Sequence, residues 1–300
     1  MAMQSNFAAK LLVSSTKQDV PRFLHQEIIT ACASSIASHG CFTIALSGGS
    51  LPNFLSSLPE SFRVSGVDPM FDKWHVFLAD ERVVPSTHDD SNLKAIRASF
   101  LDKIRDQEDL ELIPESQIYG IDYDKLASCP AGNSENVTKE ESSVDEEIAR
   151  LYQTQSVEPA LAKSNGRFDC LLLGFGPDGH TCSLFPNHPL LNERTKLVAH
   201  ISDSPKLPPR RITLTLPVLE NALCVILVGA GSSKSPILKA CFETLNEEVT
   251  AGKDMNGKSY DVIMKDPPPY PCAMARPKEG KLIWVVDADA AKDLEAAITL

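Results

Sequence analysis

The sequence has no C-x-x-C pair among its eight cysteines, and its cysteines and histidines are not clustered at the spacing of zinc ligands. It also lacks the glycine-and-glutamate pattern of a calcium loop and the G-x-S-x-G turn that presents a nucleophilic serine. We therefore predict neither a metal site nor a serine nucleophile. Several cysteines stand within apolar runs, where a free thiol behaves as a small hydrophobe, and this favours a reduced, intracellular protein.

No run of the sequence approaches the roughly 18 apolar residues of a membrane span. The N-terminus lacks the charged-then-apolar pattern of a secretory signal. Because the formal net charge is −11, the basic face that nucleic-acid binding needs is not expected. We predict a cytoplasmic, monomeric protein that binds neither membranes nor nucleic acids. An anionic substrate must then be attracted by a local cluster of Arg, Lys and backbone N–H groups, against the field of the whole molecule.

Short apolar runs alternate with segments of helical spacing along the 300 residues. Near-continuous apolar runs are typical of strands covered on both faces. The alternation therefore predicts an α/β fold with a mainly parallel, Rossmann-like sheet and helices on both faces. The predicted strands are 41–46, 74–78, 168–174, 196–201, 211–216, 223–228 and 282–286, with a brief edge strand at 118–120; the predicted helices are 23–38, 91–104, 144–155, 235–246 and 289–298.

No Pro/Gly/Ser-rich stretch divides the chain into two self-sufficient cores, so residues 1–300 are predicted to form one domain. Residues 1–20 are mixed in composition, and we expect them to be loosely ordered at the very start. Residues 129–146 are polar and acidic. They are predicted to form a surface loop that leads into a helix.

The segment from Gly174 to Pro186, GFGPDGHTCSLFP, places glycines, a carboxylate and a histidine directly after a predicted buried strand. Open α/β sheets bind their ligands at the carboxyl ends of such strands. Glycine permits sharp turns and close approach of a ligand, and histidine moves protons near neutral pH. We predict that His180 is a general base, with Asp178 either orienting the imidazole or acting on the substrate. The alternative is a structural histidine.

The other histidines are given no chemical role. His39, His75 and His200 lie within or near predicted strands and are expected to be structural. Surface positions are expected for His25, His88 and His188.

Ser47, Gly48, Gly49 and Ser50 follow a predicted strand and precede a helix with Pro52 near its first turn, a favoured place for proline. Successive N–H groups in such a turn, aided by the helix dipole, form a cradle for a phosphate. A tight turn with a serine cap is the alternative. The four residues match neither the Walker sequence nor the dinucleotide fingerprint.

Asp80, Glu81 and Arg82 come soon after another predicted strand. The planar guanidinium of Arg82 suits an oxyanion, although a solvated turn with a local ion pair would have the same sequence.

Two further cations follow later in the chain. Arg211 begins a predicted strand, and Lys234 follows a loop of glycines and serines where it can bind phosphate as a point charge. The alternative for Lys234, and more so for Arg210, is a side chain that reaches into solvent.

The chain resembles the family of 6-phosphogluconolactonases in five segments that occur in the same order. They are ALSGGSLP (45–52), FLADERVVP (77–85), LLGFGPDGHTCSLFPNHPLL (172–191), RRITLTLPVLENA (210–222) and GKLIWVVDADAAKDL (280–294), and the resemblance spans about 22–296. The GPDGHTCSLFP block is highly specific, whereas the Ser-Gly-Gly-Ser and Asp-Glu-Arg segments are persuasive only together.

The resemblance implies one α/β domain related to the glucosamine-6-phosphate deaminases. It also implies hydrolysis of 6-phospho-D-glucono-1,5-lactone to 6-phosphogluconate in the oxidative pentose phosphate pathway, with no metal or nicotinamide cofactor. His180 matches the family's base, with Asp178 beside it. The expected substrate-binding residues are Ser47, Gly48, Gly49, Ser50, Asp80, Glu81, Arg82, Arg211 and Lys234.

Two segments depart from the family. The family's phosphate lysine often closes a Gly-x-Gly-Lys turn, and this chain has Ser233 in place of the second glycine before Lys234. Residues 129–146 match nothing in the family that could be aligned.

Two other functions remain open at this stage. An isomerase and deaminase acting on an amino-sugar phosphate would share the Asp-Gly-His block, but the deaminases usually continue with I-A-F-N-E-P. This chain continues with TCSLFP and lacks that acidic residue. The second alternative is a sugar-phosphate-binding protein without catalysis, which a direct assay with the lactone distinguishes.

Overall fold

Eleven strands occur in the described part of the computed structural model, which comprises residues 7–107, 110–127, 137–248 and 257–294. They are β1 (Phe7–Ser14), β2 (Phe42–Leu46), β3 (Trp74–Leu78), β4 (Asp80–Arg82), β5 (Cys170–Gly174), β6 (Val198–Ile201), β7 (Arg211–Leu214), β8 (Cys224–Gly229), β9 (Phe242–Glu248), β10 (Gly257–Met264) and β11 (Lys281–Asp287).

The same residues form α1 (Val20–His39), α2 (Leu58–Ser65), α3 (Asn92–Ile96), α4 (Asp102–Arg105), α5 (Tyr123–Ala127), α6 (Lys139–Leu151), α7 (Glu158–Leu161), α8 (Leu216–Asn221), α9 (Ser235–Cys241), α10 (Pro271–Met274) and α11 (Ala288–Ala291). A π-helical turn joins α3 to α4, and another joins α6 to α7. Over the described residues, no helix combines the length and apolar character needed to cross a bilayer.

The large sheet has the strand order β3-β2-β5-β8-β11-β1-β10-β9. Neighbours from β3 to β1 are parallel, and β10 is antiparallel to both β1 and β9. Every residue of β2, β3 and β8 is buried. Since successive side chains of a strand point to opposite faces, both faces of these strands are covered. The predicted α/β class with a mainly parallel sheet is confirmed.

Helix α1 shows how the sequence builds a covering layer. Its apolar residues Leu24, Ile28 and Cys32 are four apart, lie on one face and are fully buried. Pro21 stands in the first turn, and Gly40 ends the helix in the left-handed conformation at φ 84°. The helix packs against β11, β2 and β8.

The N-terminal prediction was wrong for residues 7–14. They form β1, which lies between β11 and β10 inside the sheet, and residues 1–6 lie outside the described part. This segment is a strand because it pairs with β10 and β11, which are more than two hundred residues away in the sequence. A local sequence pattern does not reveal such distant partners.

The predicted helix 235–246 was also wrong in its second half. Helix α9 ends at Cys241, and Phe242 begins β9, which pairs with β10. Of the predicted helix 289–298, the structure has α11 and a turn up to Leu294, and the remainder is outside the described residues. The predicted edge strand 118–120 is reduced to one bridge between Val76 and Ile118.

The acidic segment 129–146 is not a surface loop where the structure describes it. Helix α6 begins at Lys139, after a capping box in which Thr138 and Glu141 bond each other's backbone N–H groups. Asp145 is fully buried and pairs with Arg210, which is only 2 % exposed and does not reach into solvent. Residues 129–136 lie outside the described part.

A second sheet has the antiparallel order β4-β7-β6. It contains the predicted strands 196–201 and 211–216, together with Asp80–Arg82, which the sequence did not predict as a strand.

The surface position predicted for His25 was wrong. His25 is buried, with Nδ1 2.7 Å from Ser61 Oγ and Nε2 2.7 Å from the Phe54 carbonyl oxygen.

Candidate active site

A cavity of about 240 Å³ opens at the carboxyl ends of β2, β5 and β8. From β2 the chain passes to β3 at the edge of the sheet and returns to β5 on the other side of β2. Open α/β sheets bind ligands at such a switch point, and this volume suits a small molecule. The lining comprises 47–51, 174–177 and 228–229 with Asp80, Arg82, Asn92, His180, Cys182, Arg211 and Lys234. Of the predicted site residues, only Asp178 and Glu81 are not in this lining.

The pairing of β4 with β7 explains which charges face the cavity. Arg82 is directly opposite Arg211, and Glu81 is opposite Ile212. Because side chains alternate along a strand, Arg82 and Arg211 share one face and Glu81 points to the other. The two guanidinium groups therefore reach the same cavity from adjacent strands.

Glu81 is not brought to the cavity, and its predicted substrate-binding role is not retained. It is fully buried and accepts hydrogen bonds from the backbone N–H groups of Asn92 (2.7 Å) and Leu93 (2.9 Å) at the start of α3. Burial raises the pKa of this carboxyl to about 7, against the lowering effect of those bonds. Its role is to anchor the helix start.

Asp80 lines the cavity, but protein partners bind both its oxygens. Oδ2 accepts a hydrogen bond from Ser183 Oγ at 2.9 Å. The Asn92 amide donates to the Asp80 carbonyl oxygen at 2.8 Å and lies 3.5 Å from Oδ1. This carboxylate therefore connects β4 to α3 and to the loop after His180.

The Ser47–Ser50 turn begins where the Ser47 N–H donates to the Leu172 carbonyl at 2.9 Å. In the described residues, the backbone N–H groups of Gly48, Gly49 and Ser50 have no hydrogen-bond acceptor. Gly49 has φ 69°, and a Cβ on Gly48 would lie 1.7 Å from Asn92 Oδ1. Glycine is needed at both positions. The resulting row of free N–H groups at the cavity wall is suited to an anion.

Three cations, Arg82, Arg211 and Lys234, line the same cavity as this turn. Arg82 donates through Nη1 to the Asp90 carbonyl at 2.7 Å, and its buried Nε has no partner among the described residues. Lys234 bonds the Phe175 carbonyl oxygen, and its ammonium lies 5.3 Å from the centre of the Phe175 ring. Burial lowers the pKa of Lys234 and lowers that of Arg211 to about 10.

His180 and Asp178 form a base with an orienting carboxylate. His180 Nδ1 lies 2.5 Å from Asp178 Oδ1, and the imidazole stacks on Phe185 at 4.9 Å between ring centres. Burial would raise the pKa of Asp178, but its bonds to His180 and Lys206 prevail and bring it to about 2. The ionised carboxylate fixes the proton on Nδ1, so Nε2 is the basic nitrogen.

The imidazole is held neutral by its surroundings. Burial lowers the pKa of His180 below its ordinary value, Asp178 opposes this, and Lys206 adds to the lowering. Gly176 allows the arrangement, because a Cβ there would lie 2.1 Å from His180 Nδ1. A neutral imidazole with a free Nε2 is a competent general base.

Sequence reasoning missed two residues around this base. The Phe185 ring stacks on one face of the imidazole. The Arg211 guanidinium lies 5.7 Å from the centre of the Phe185 ring. Lys206 Nζ lies 3.0 Å from Asp178 Oδ2 and 3.0 Å from His180 Nδ1. The only signal for Lys206 in the sequence was its place in a turn with Pro205, Pro208 and Pro209, which predicts a loop and no chemistry.

A larger depression, of about 590 Å³, lies against α6 and β6. Two of its cations are engaged in ion pairs, Lys196 with Glu146 at 3.0 Å and Arg150 with Glu147 at 2.7 Å. It contains none of the predicted site residues, so the smaller cavity is the candidate active site.

Known proteins resemble this chain over most of its length. The model of a family described as glucosamine-6-phosphate isomerases/6-phosphogluconolactonase matches residues 15–284. The 6-phosphogluconolactonase of Bos taurus is 36 % identical over 282 residues, covering 93 % of this chain and 92 % of the relative. The probable 6-phosphogluconolactonase 4, chloroplastic, of Oryza sativa subsp. indica is 35 % identical over 288 residues, covering 95 % of this chain and 77 % of the relative.

Solved structures are similar over nearly the whole chain. The 6-phosphogluconolactonase from Trypanosoma cruzi superposes with a TM-score of 0.70 at 23 % identity, covering 97 % of this chain and 99 % of that one. The enzyme from Leishmania guyanensis has a TM-score of 0.69 at 22 % identity, covering 95 % and 98 %. At these identities the likeness establishes the fold.

Proposed function

This chain belongs to the glucosamine-6-phosphate isomerase/6-phosphogluconolactonase family, and on that basis we propose that it hydrolyses 6-phospho-D-glucono-1,5-lactone to 6-phospho-D-gluconate in the oxidative pentose phosphate pathway. One observation supports this assignment most strongly. A carboxylate-oriented imidazole and a cluster of free N–H groups and cations line one cavity. A sugar phosphate with an electrophilic carbonyl at its other end matches both.

The phosphate would bind the backbone N–H groups of Gly48, Gly49 and Ser50, with Arg82 and Lys234 neutralising its charge. This local cluster of positive charge can attract the anionic substrate although the whole chain has a net charge of −11. Binding the phosphate away from the reacting carbonyl positions C1 beside His180.

In the proposed reaction, His180 Nε2 takes a proton from water as the water oxygen attacks C1 of the lactone. The carbonyl electrons move to its oxygen, and Arg211, which approaches Phe185 beside His180, stabilises that negative charge. The intermediate then collapses, the bond from C1 to the ring oxygen breaks, and protonated Nε2 returns its proton to that oxygen. The carboxylic acid formed ionises and releases one proton. Asp178 stays ionised throughout and stabilises the imidazolium.

Generating the lactone in the assay and measuring acid release tests the proposal. Acceleration over the spontaneous rate supports it, and binding of 6-phosphogluconate without acceleration would indicate the non-catalytic alternative. Ammonia release from glucosamine 6-phosphate would indicate the deaminase. Against that activity, Asp178 and Asp80, the two carboxylates whose charges act on His180, are already hydrogen-bonded to protein groups.

Replacing Arg82 or Lys234 by alanine should raise KM about 10- to 100-fold, because hydrogen bonds to charged groups are worth about 1.5–3 kcal/mol. The kcat should change little, since the phosphate is bound alike in the ground and transition states. Steady-state kinetics measure both values, with Lys239→Ala on the exposed side of α9 as the control. A large fall in kcat at an unchanged KM would contradict the phosphate assignment.

The pH dependence of kcat/KM should report His180. Activity requires the neutral imidazole, so it should fall as the pH is lowered through the pKa of His180. Burial lowers this pKa, so the midpoint of the acidic limb is expected below the ordinary 6.5. The profile is measured after subtracting spontaneous hydrolysis at each pH. A midpoint above 6.5 would show that another group controls the rate.

The compartment and the oligomeric state are also proposed, on the sequence alone. We infer a cytoplasmic monomer from the sequence. Two rice relatives are named chloroplastic.

A further inference from the structure

We propose that Lys206 is a positioning residue of this site. Its ammonium group binds Asp178 Oδ2, so that Asp178 Oδ1 stays hydrogen-bonded to His180 Nδ1. The inference rests on the proposed function, because it assigns a new residue to the same catalytic centre. Lys206 is not in the cavity lining and stands behind the imidazole. It therefore acts through Asp178 and His180.

The geometry is that of a carboxylate held from two sides. Asp178 Oδ1 lies 2.5 Å from His180 Nδ1, and Asp178 Oδ2 lies 3.0 Å from Lys206 Nζ. Asp178 is 38 % exposed, so His180 alone would leave the carboxylate free to rotate toward solvent. With Oδ2 bound to an ammonium, rotation breaks a charge-assisted hydrogen bond. The proton stays on Nδ1, where Asp178 accepts it, and the lone pair stays on Nε2. The 3.0 Å approach of Lys206 Nζ to the protonated Nδ1 is therefore a charge contact and not a hydrogen bond.

The backbone of Lys206 is fixed by hydrogen bonds to Arg211 and Ser204, although its side chain is 40 % exposed. The Arg211 guanidinium donates to the carbonyl oxygens of Lys206 (2.8 Å), Leu207 (3.2 Å) and Pro208 (3.0 Å). Ser204 Oγ donates to the Lys206 carbonyl at 2.8 Å and accepts from its N–H at 3.2 Å. Arg211 is 3 % exposed and belongs to β7. A buried cavity residue thus fixes the loop that presents Lys206.

The charge of Lys206 also bears on the protonation of His180. Asp178 and Asp80 favour the imidazolium, whereas Lys206 disfavours it, and burial disfavours it most. Arg82, Arg211 and Lys234 are the other charged groups of the adjoining cavity. Removing Lys206 therefore raises the pKa of His180 and leaves less neutral base at a given acidic pH.

A purely structural ion pair would behave differently. The Lys206–Asp178 pair is 40 % and 38 % exposed, and pairs of this kind contribute only about 0–1 kcal/mol to stability. Lys196 offers a matched control, because its Nζ lies 3.0 Å from Glu146 Oε1 at 47 % and 58 % exposure. If the role were structural, neutralising either lysine would have the same small effect.

The experiment compares Lys206→Met, Lys206→Arg and Lys196→Met with the wild type. We expect Lys206→Met to lower kcat about 10- to 100-fold, the range known for removing outer-shell partners of metal-bound histidines, which likewise act by orienting the imidazole. KM should stay within about twofold. The acidic limb of the pH profile should move to higher pH, and thermal unfolding should be unchanged. Arginine should restore most of kcat because it can bind Asp178 Oδ2. Lys196→Met should match the wild type.

Wild-type kcat and acidic limb in Lys206→Met would overturn the inference, as would an equal loss in Lys196→Met. A raised KM at unchanged kcat would also overturn it, because Lys206 would then be a substrate ligand. An NMR titration of the His180 imidazole provides a readout independent of the substrate. If the wild type fails to hydrolyse the lactone, the proposed function fails. A raised His180 pKa in Lys206→Met would still support the positioning role, and an unchanged one would overturn it.

Discussion

Replacing His180 by alanine is expected to lower kcat/KM for the phosphogluconolactone about 10²- to 10⁴-fold, the usual contribution of a positioned general base. The loss should fall mainly on kcat, because the phosphate contacts at residues 48–50, Arg82 and Lys234 are untouched. Water can still attack the bound lactone without the base, so hydrolysis above the spontaneous rate should persist at a low level. The lactone assay that follows acid release gives both constants.

His75→Ala is the matched control for this prediction. Burial lowers the pKa of His75 as it does for His180. His75 is on β3, outside the cavity lining, and its Nδ1 lies 2.9 Å from the Tyr119 hydroxyl. Thermal unfolding of both variants checks that they remain folded. An equal loss of kcat in the two variants would remove His180 from its assigned role.

The second large effect is expected on stability. Asp145→Ala should lower the free energy of unfolding by about 3 kcal/mol, because it leaves the buried Arg210 charge without its main partner. Arg210 donates to Asp145 Oδ1 through Nη2 at 2.7 Å and through Nε at 3.1 Å. Arginine cannot escape by losing its proton. Glu141 Oε1, at 3.1 Å from Nη1, still offers a contact, and this limits the loss.

Urea unfolding measures this change, and Glu147→Ala on the same helix is its control. Glu147 pairs with Arg150 at 2.7 Å, but the two side chains are 34 % and 57 % exposed, so a much smaller loss is expected than for Asp145→Ala. Similar losses of unfolding free energy in the two variants would contradict the prediction, because the buried Asp145–Arg210 pair would then matter no more than an exposed pair.

The sequence predicted the parallel half of the sheet well because those strands are buried on both faces. The run at 223–228 is apolar throughout and the run at 74–78 is apolar except for His75, and continuous runs of this kind are typical of strands buried on both faces. The antiparallel side was missed for the opposite reason. Residues 242–248 include exposed side chains, and their pairing with β10 is a tertiary contact that no local pattern shows.

The candidate site divides in a similar way. His180 and Asp178 were predicted because glycines and a histidine follow a strand, and the Ser-Gly-Gly-Ser turn was predicted because it joins a strand to a helix. The structure places His180 and this turn at one cavity. Glu81 was assigned to the substrate together with Asp80 and Arg82 as one segment, whereas a three-residue strand sends the middle side chain away from the cavity. Lys206 was missed because only the folded Pro-rich loop brings it to Asp178.

The central claim is that one sugar phosphate reaches from the N–H groups of the Ser-Gly-Gly-Ser turn to the imidazole of His180. A crystal structure with 6-phosphogluconate bound tests this most directly. We predict the phosphate on the N–H groups of residues 48–50 and the C1 carboxylate within about 3.2 Å of His180 Nε2, the reach of a hydrogen bond. A ligand bound in the depression against α6, or one whose carboxylate lies beyond that reach of His180, would contradict the claim.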